Sequence, residues 1–173
     1  MAIYALGDSE PTIASDAFVH PDATVIGNVT IGSGSSIWPQ AVLRGDYGSI
    51  TVGERTSIQD GSVIHTTVLH PTIIGSDVTV GHLAHVECCT IEDGALVGSG
   101  AVVLHRAVVG REALVGANAL VPNDMQVPPR AMALGVPAKL RLDAVDPDRL
   151  IRPGAMQYVQ NGARYRTDLR RLD

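Results

Sequence analysis

Aromatic side chains are scarce: they make up 3% of 173 residues, with one Phe and one Trp. Large rings dominate a conventional core, so this core has to be filled by Val, Ile, Leu and Ala. Cysteine is nearly absent. The two present, Cys88 and Cys89, are neighbours, which excludes an ordinary structural disulfide between them. No stretch approaches the ~20 apolar residues of a membrane span. A basic excess is lacking too: 13 Lys+Arg against 18 Asp+Glu give a net charge of −5, which argues against nucleic-acid binding. The opening Met1–Asp8 has neither the basic nor the apolar region of a secretion signal. The expected compartment is therefore the cytoplasm.

What is present is 45% hydrophobic residues, 18 glycines and 10 prolines. This suffices for a packed core with frequent turns, at the length of one domain plus a short appendage. Residues 141–173 hold seven arginines and five aspartates, net +2, so residues 1–140 carry −7.

The dominant signal is a repeat. An aliphatic residue recurs at Val19, Val25, Ile31, Ile37 and Leu43, then Val52, Ile58 and Ile64. It resumes at Ile74, Val80 and Val86, and again at Ile91 through Val121, almost always in steps of six. The residue four places on is usually small (Ala23, Ser35, Ala41, Ser62, Ala84), and glycine often follows the aliphatic residue (Gly32, Gly53, Gly75). This pattern resembles the hexapeptide repeat of the left-handed parallel β-helix. Each hexad is then one short strand plus a turn, and three hexads close a triangular coil. The aliphatic side chain points inward onto its counterpart one coil away. A prism so narrow has no room for rings. Strand spacing of ~4.8 Å makes roughly six coils ~28 Å tall. A sandwich of ordinary strands would instead show period-two alternation and irregularly spaced hairpin turns.

The fold class is thus mainly β: a left-handed parallel β-helix over residues 1–140, with a helical tail over 141–173 packing on the prism. Leu150, Ile151, Met156, Tyr158, Val159, Tyr165 and Leu169 lie near helical spacing. Pro153 and Gly154 place the main helix at about 154–171. Val127–Leu140, with Pro128, Pro129 and Pro137, reads as the connector.

Three steps depart from six: Leu43 to Val52 is nine, Ile64 to Ile74 is ten, Val86 to Ile91 is five. Three hexads separate the successive breaks, so all fall at one corner of consecutive coils, as a site would. The residues just past these aliphatics, Arg44, His65 and Glu87, share a register and stack in one outward column ~4.8 Å apart. His82 sits two places past Val80, in the column of Asp60 and Ser99, on another part of the triangle. One rigid prism does not bring His82 to His65; a trimer of prisms would place His82 of one chain against His65 of the next.

From Val19 to Ala138 the chain resembles the γ-class carbonic anhydrase-like family. The cues are Leu43-Arg44-Gly45-Asp46, Ile58-Gln59-Asp60-Gly61-Ser62-Val63-Ile64-His65, Val80-Gly81-His82 and Gly135-Val136-Pro137-Ala138. The resemblance implies a homotrimer with Zn2+, or Fe2+ or Co2+, at each subunit interface. It also implies reversible hydration of CO2 to bicarbonate by metal-bound hydroxide. His65 matches the first metal histidine and His82 the one from the neighbour. The third belongs five residues after His82, where this chain has Glu87; a His2Glu set is a competent catalytic zinc site. Register favours Glu87 as the ligand. The family's nitrogen preference favours His85, with Glu87 then behind it. By the same resemblance Gln59 hydrogen-bonds the reacting water or bicarbonate, and Arg44, Asp46 and Asp60 form charged contacts across the interface.

The family's acidic loop is missing: Thr66-Thr67-Val68-Leu69-His70-Pro71 contains no acid, although His70 titrates in the right range. His20 and His105 lie off the column and read as surface residues; Trp38 reads as interface or tail packing. Two other functions suit the same fold. One is a hexapeptide acyltransferase using acyl-coenzyme A, with His65 or His85 as base. The other is a non-catalytic trimeric binding or assembly protein.

Overall fold

The computed structural model of the protein describes residues 2–173. Its strands stack in three columns of parallel pairs. Val25, Leu43, Ile64, Val86, Val103 and Val121 line the inside of the first, with Ile3 in register at its exposed end. Ile13, Ile31, Val52, Ile74, Ile91, Val109 and Val127 line the second. Val19, Ile37, Ile58, Val80, Val97, Val115 and Ala133 line the third. From Leu43 through Val121 these inner residues are at most 1% exposed. The fold is a left-handed parallel β-helix of about seven turns with a C-terminal helix.

The hexad dictates this locally. Two residues of strand place one aliphatic side chain inward. The small residue at the corner then lets the chain turn, with Ala41, Ser62, Ala84 and Ala101 all buried. The glycines after the aliphatic residues answer to close backbone approach. A Cβ on Gly53 would lie 2.6 Å from the carbonyl carbon of Gly75, one coil on, so glycine alone lets these coils stack.

Seven turns exceed the six counted from the aliphatic series, because Ile3 and Ile13 begin the stack earlier and Val127 and Ala133 extend it. For the same reason Val127–Leu140 is not an irregular connector. Met132–Leu134 is a further rung, and Lys139–Arg141 folds back on it antiparallel.

The tail comprises α1 (Pro147–Leu150), capped by the Asp146 side chain, and α2 (Arg152–Asp168). α2 starts two residues before the expected 154, because Pro153 sits in its first turn, where the missing N–H costs nothing. It ends at Asp168 rather than 171. A 17-residue helix holding Pro153, Gly154 and Gly162 is marginal alone, so docking sustains it. Trp38 is the anchor, edge-on to Tyr158 and Tyr165 at 5.4 and 5.0 Å between ring centroids. Its indole N–H points at the hydroxyls of Ser36 and Ser57, each at 3.0 Å. At Gly162 a Cβ would come within 3.2 Å of Ser36 Cβ, so the close approach suits glycine. Among the described residues no helix is long and apolar enough to cross a membrane.

Candidate metal centre

The three irregular steps all join the first column to the second, so they share one corner. Strand pairing puts Arg44 beside His65 and His65 beside Glu87, the column that the hexad count predicts. Val42–Val52 continues through the corner as one strand and brings Asp46 over the same ring. His65 Nε2 lies 3.0 Å from Asp46 Oδ1 and His65 Nδ1 lies 2.8 Å from Glu87 Oε1. Arg44 forms an ion pair with the other oxygen of Asp46. All of this is partly buried: the His65, Asp46 and Glu87 side chains are 15%, 17% and 20% exposed.

Electrostatics keep both acids ionised. Burial works to raise the Asp46 carboxyl, but hydrogen bonds from Arg44 and His65 outweigh it and hold it below its ordinary value. Glu87 is likewise held low: burial opposes, and His65, His85 and His105 together prevail. His85 Nε2 is 3.3 Å and His105 Nε2 3.5 Å from Glu87 Oε2. One carboxylate therefore faces three imidazoles.

His105 is thus no detached surface residue. It is partly buried and touches the candidate ligand. Val86 pairs with Val103, so the hexad count puts Leu104, not His105, one coil on from Glu87, and counting gave no signal for it. His85, although two residues from Glu87 on one strand, bends to meet it.

The remaining predicted residues gather elsewhere. His82 Nδ1 lies 2.9 Å from Asp60 Oδ2, with both side chains about half exposed. Gln59 is buried beside Asp60, one place past Ile58 in the third column. Arg44 and Asp46 pair within the chain, as do Asp60 and His82. The structure therefore assembles Arg44, Asp46, His65, His85 and Glu87 at one corner and Gln59, Asp60 and His82 at another. Trp38 belongs to tail packing.

The donor set fits a divalent ion. A neutral imidazole has one N–H, so His65 cannot donate to Asp46 and Glu87 together. Two carboxylates about one ring leave either a charged ring or a place for a cation. Imidazole nitrogen with carboxylate oxygen is a zinc donor set. From one chain this corner offers His65 and Glu87, with His85 beside them.

The family model "Bacterial transferase hexapeptide (six repeats)" matches residues 10–45 and 88–123. A Methanocaldococcus jannaschii protein that bears the name "Probable carbonic anhydrase" is 44% identical over 149 residues, covering 86% of this chain and 94% of its own. An Arabidopsis thaliana mitochondrial γ carbonic anhydrase is 48% identical over 97 residues, 53% of this chain; the chain spans 35% of that relative's length. Among solved structures, a Bacillus cereus protein described as an acetyltransferase superposes with a TM-score of 0.93 at 36% identity, over 96% of this chain and 97% of that one. The seven-turn prism, the His65 corner and these likenesses agree: the chain belongs to the γ-class carbonic anhydrase-like family of hexapeptide-repeat proteins.

Proposed function

We propose that the chain is a metal-dependent γ-carbonic anhydrase-like protein that interconverts CO2 and bicarbonate as a homotrimer. The observation that supports this reading best is the His65–Glu87 pair, adjacent in register at the irregular corner and 2.8 Å apart. His65 and Glu87 of one chain and His82 of a neighbouring copy would hold the ion, zinc first, with Fe2+ or Co2+ as alternatives and His85 as the alternative third ligand. When bound, the ion supplies Lewis acidity, which makes water nucleophilic near neutral pH.

The chain's own residues do the rest. Asp46 fixes the His65 ring through Nε2, and Arg44 fixes Asp46. Asp60 likewise orients His82 through Nδ1. Gln59, next to Asp60, would arrive with His82 from the neighbouring copy and turn its amide to CO2 or bicarbonate. The loop Thr66–Pro71 exposes Val68 and Leu69 and offers no carboxylate for proton transfer, so turnover should be limited by proton removal. Two free, buried cysteines suit a reducing compartment, and we assign the protein to the cytoplasm.

Metal analysis, light scattering and a stopped-flow CO2 hydration assay on one preparation test this reading. The expected result is a particle of three 18.2 kDa chains with metal and measurable hydration. His82→Ala should empty the interface position and weaken the trimer. A metal-loaded 18.2 kDa monomer would refute it. Metal and trimer without hydration would favour a binding or assembly protein. The match to a transferase family model keeps acyl transfer as the second reading; saturable binding of acyl-coenzyme A without metal would favour it.

A further inference from the structure

Glu87 uses its two oxygens differently. Oε1 faces His65, whereas Oε2 faces His105 and His85. The Cys88 thiol joins this group: one ligand atom each from Glu87, Cys88 and His105 lie within 4.8 Å of one another. Neighbours in a strand point to opposite faces, so Glu87 and Cys88 should diverge. The strand ends at Glu87, however, and Cys88 adopts a left-handed conformation, φ 53°. That turn carries Sγ round to the side of the carboxylate.

We propose that Glu87, Cys88 and His105 form a second metal position, complete within one chain, that takes a single zinc-like divalent ion. Tetrahedral zinc, with bonds of about 2.0–2.1 Å to N and O and 2.3 Å to S, sets its ligand atoms about 3.3–3.6 Å apart. The 3.5 Å between His105 Nε2 and Glu87 Oε2 already matches this spacing. Mixed N, O and S donors select zinc over magnesium or calcium. On binding, the Cys88 S–H proton leaves to solvent and the thiolate ligates; its hydrogen bond to Thr67 Oγ1, at 3.3 Å, is given up. Cys88 is buried while the His105 side chain is 34% exposed, so the ion has an entry on the imidazole side. Three protein ligands leave the fourth place to water, as in catalytic zinc sites. It shares Glu87 with the interface site, through the other carboxylate oxygen, but needs no residue of a neighbouring chain.

Cobalt(II) titration of the full-length protein tests it without any activity measurement. The expected result is a thiolate-to-cobalt charge-transfer band in the near ultraviolet. Cys88→Ser and His105→Ala should each abolish the band and lower bound cobalt by one ion per chain, while His82→Ala keeps the band. His105→Gln serves as a second variant, and circular dichroism checks that each variant is folded. No band at saturating cobalt, a band that survives both His105 substitutions, or a band lost in His82→Ala overturns the proposal. If His82→Ala loses no cobalt at all while the band remains, the interface reading fails and this one stands.

Discussion

Trp38→Ala should release the C-terminal helix from an otherwise intact prism. The side chain belongs to residue Trp38, 6% exposed, wedged between Phe18 at 5.5 Å and the rings of Tyr158 and Tyr165 on α2. Truncation strips on the order of 150 Å² of buried surface, about 4 kcal/mol at ~25 cal/mol per Å². That sits inside the range of about 3–5 kcal/mol for Trp→Ala in cores. The loss falls on docking, because the aliphatic stack inside the prism has no contact to lose and α2 is marginal by itself. A cost of ~4 kcal/mol corresponds to roughly 1,000-fold in the undocking equilibrium. Hydrogen exchange across residues 152–168 should accelerate by about that factor, with prism strands unchanged. Trp38→Phe keeps a ring against Tyr158 and Tyr165 and should retain most of the docking, because the indole hydrogen bonds it gives up go to Ser36 and Ser57 of the prism itself. Unchanged protection of α2 in Trp38→Ala would refute the reasoning, as would equal loss of protection in the prism.

At the corner proposed to hold metal, Glu87→Ala should lower total metal content far more than His85→Ala, and the reverse order by elemental analysis would make His85 the ligand. Glu87→His restores three imidazoles at an unchanged backbone position; it should raise CO2 hydration near neutral pH, because a neutral ligand leaves the ion more acidifying. Gly53→Ala should cost about 1–3 kcal/mol in a thermal melt, since its Cβ meets backbone that cannot swing aside. Tail docking should also depend on acid. The hydrogen bond from Arg130 at 2.8 Å, against burial and with help from Arg152 of α2, holds the Glu112 carboxyl below its ordinary value. A depressed carboxyl stabilises the fold above its unfolded pKa, about 4.3. The contribution is lost as pH falls through the lower folded value. α2 protection in the native protein should therefore weaken on acidification below about pH 4.3. Glu112→Gln should start weaker and vary less over that range.

The hexad period determined the prism by itself. Which side chain points inward depends only on counting residues along two-residue strands, and register follows from counting hexads. That is why Arg44, His65 and Glu87 could be aligned across coils 22 and 21 residues apart, and why His82 could be assigned to another part of the triangle. The rarity of aromatics followed from the same narrow cross-section. Counting failed where the chain stops being a strand. The start of α2 was set by Pro153 rather than by apolar spacing. At the irregular corner, the left-handed turn at Cys88 and the five-residue step from Val86 to Ile91 rotate side chains out of strand alternation. Only the folded corner brings Cys88 and His105 to Glu87 and places His65 between two carboxylates, because side-chain direction there depends on tertiary packing that no repeat encodes.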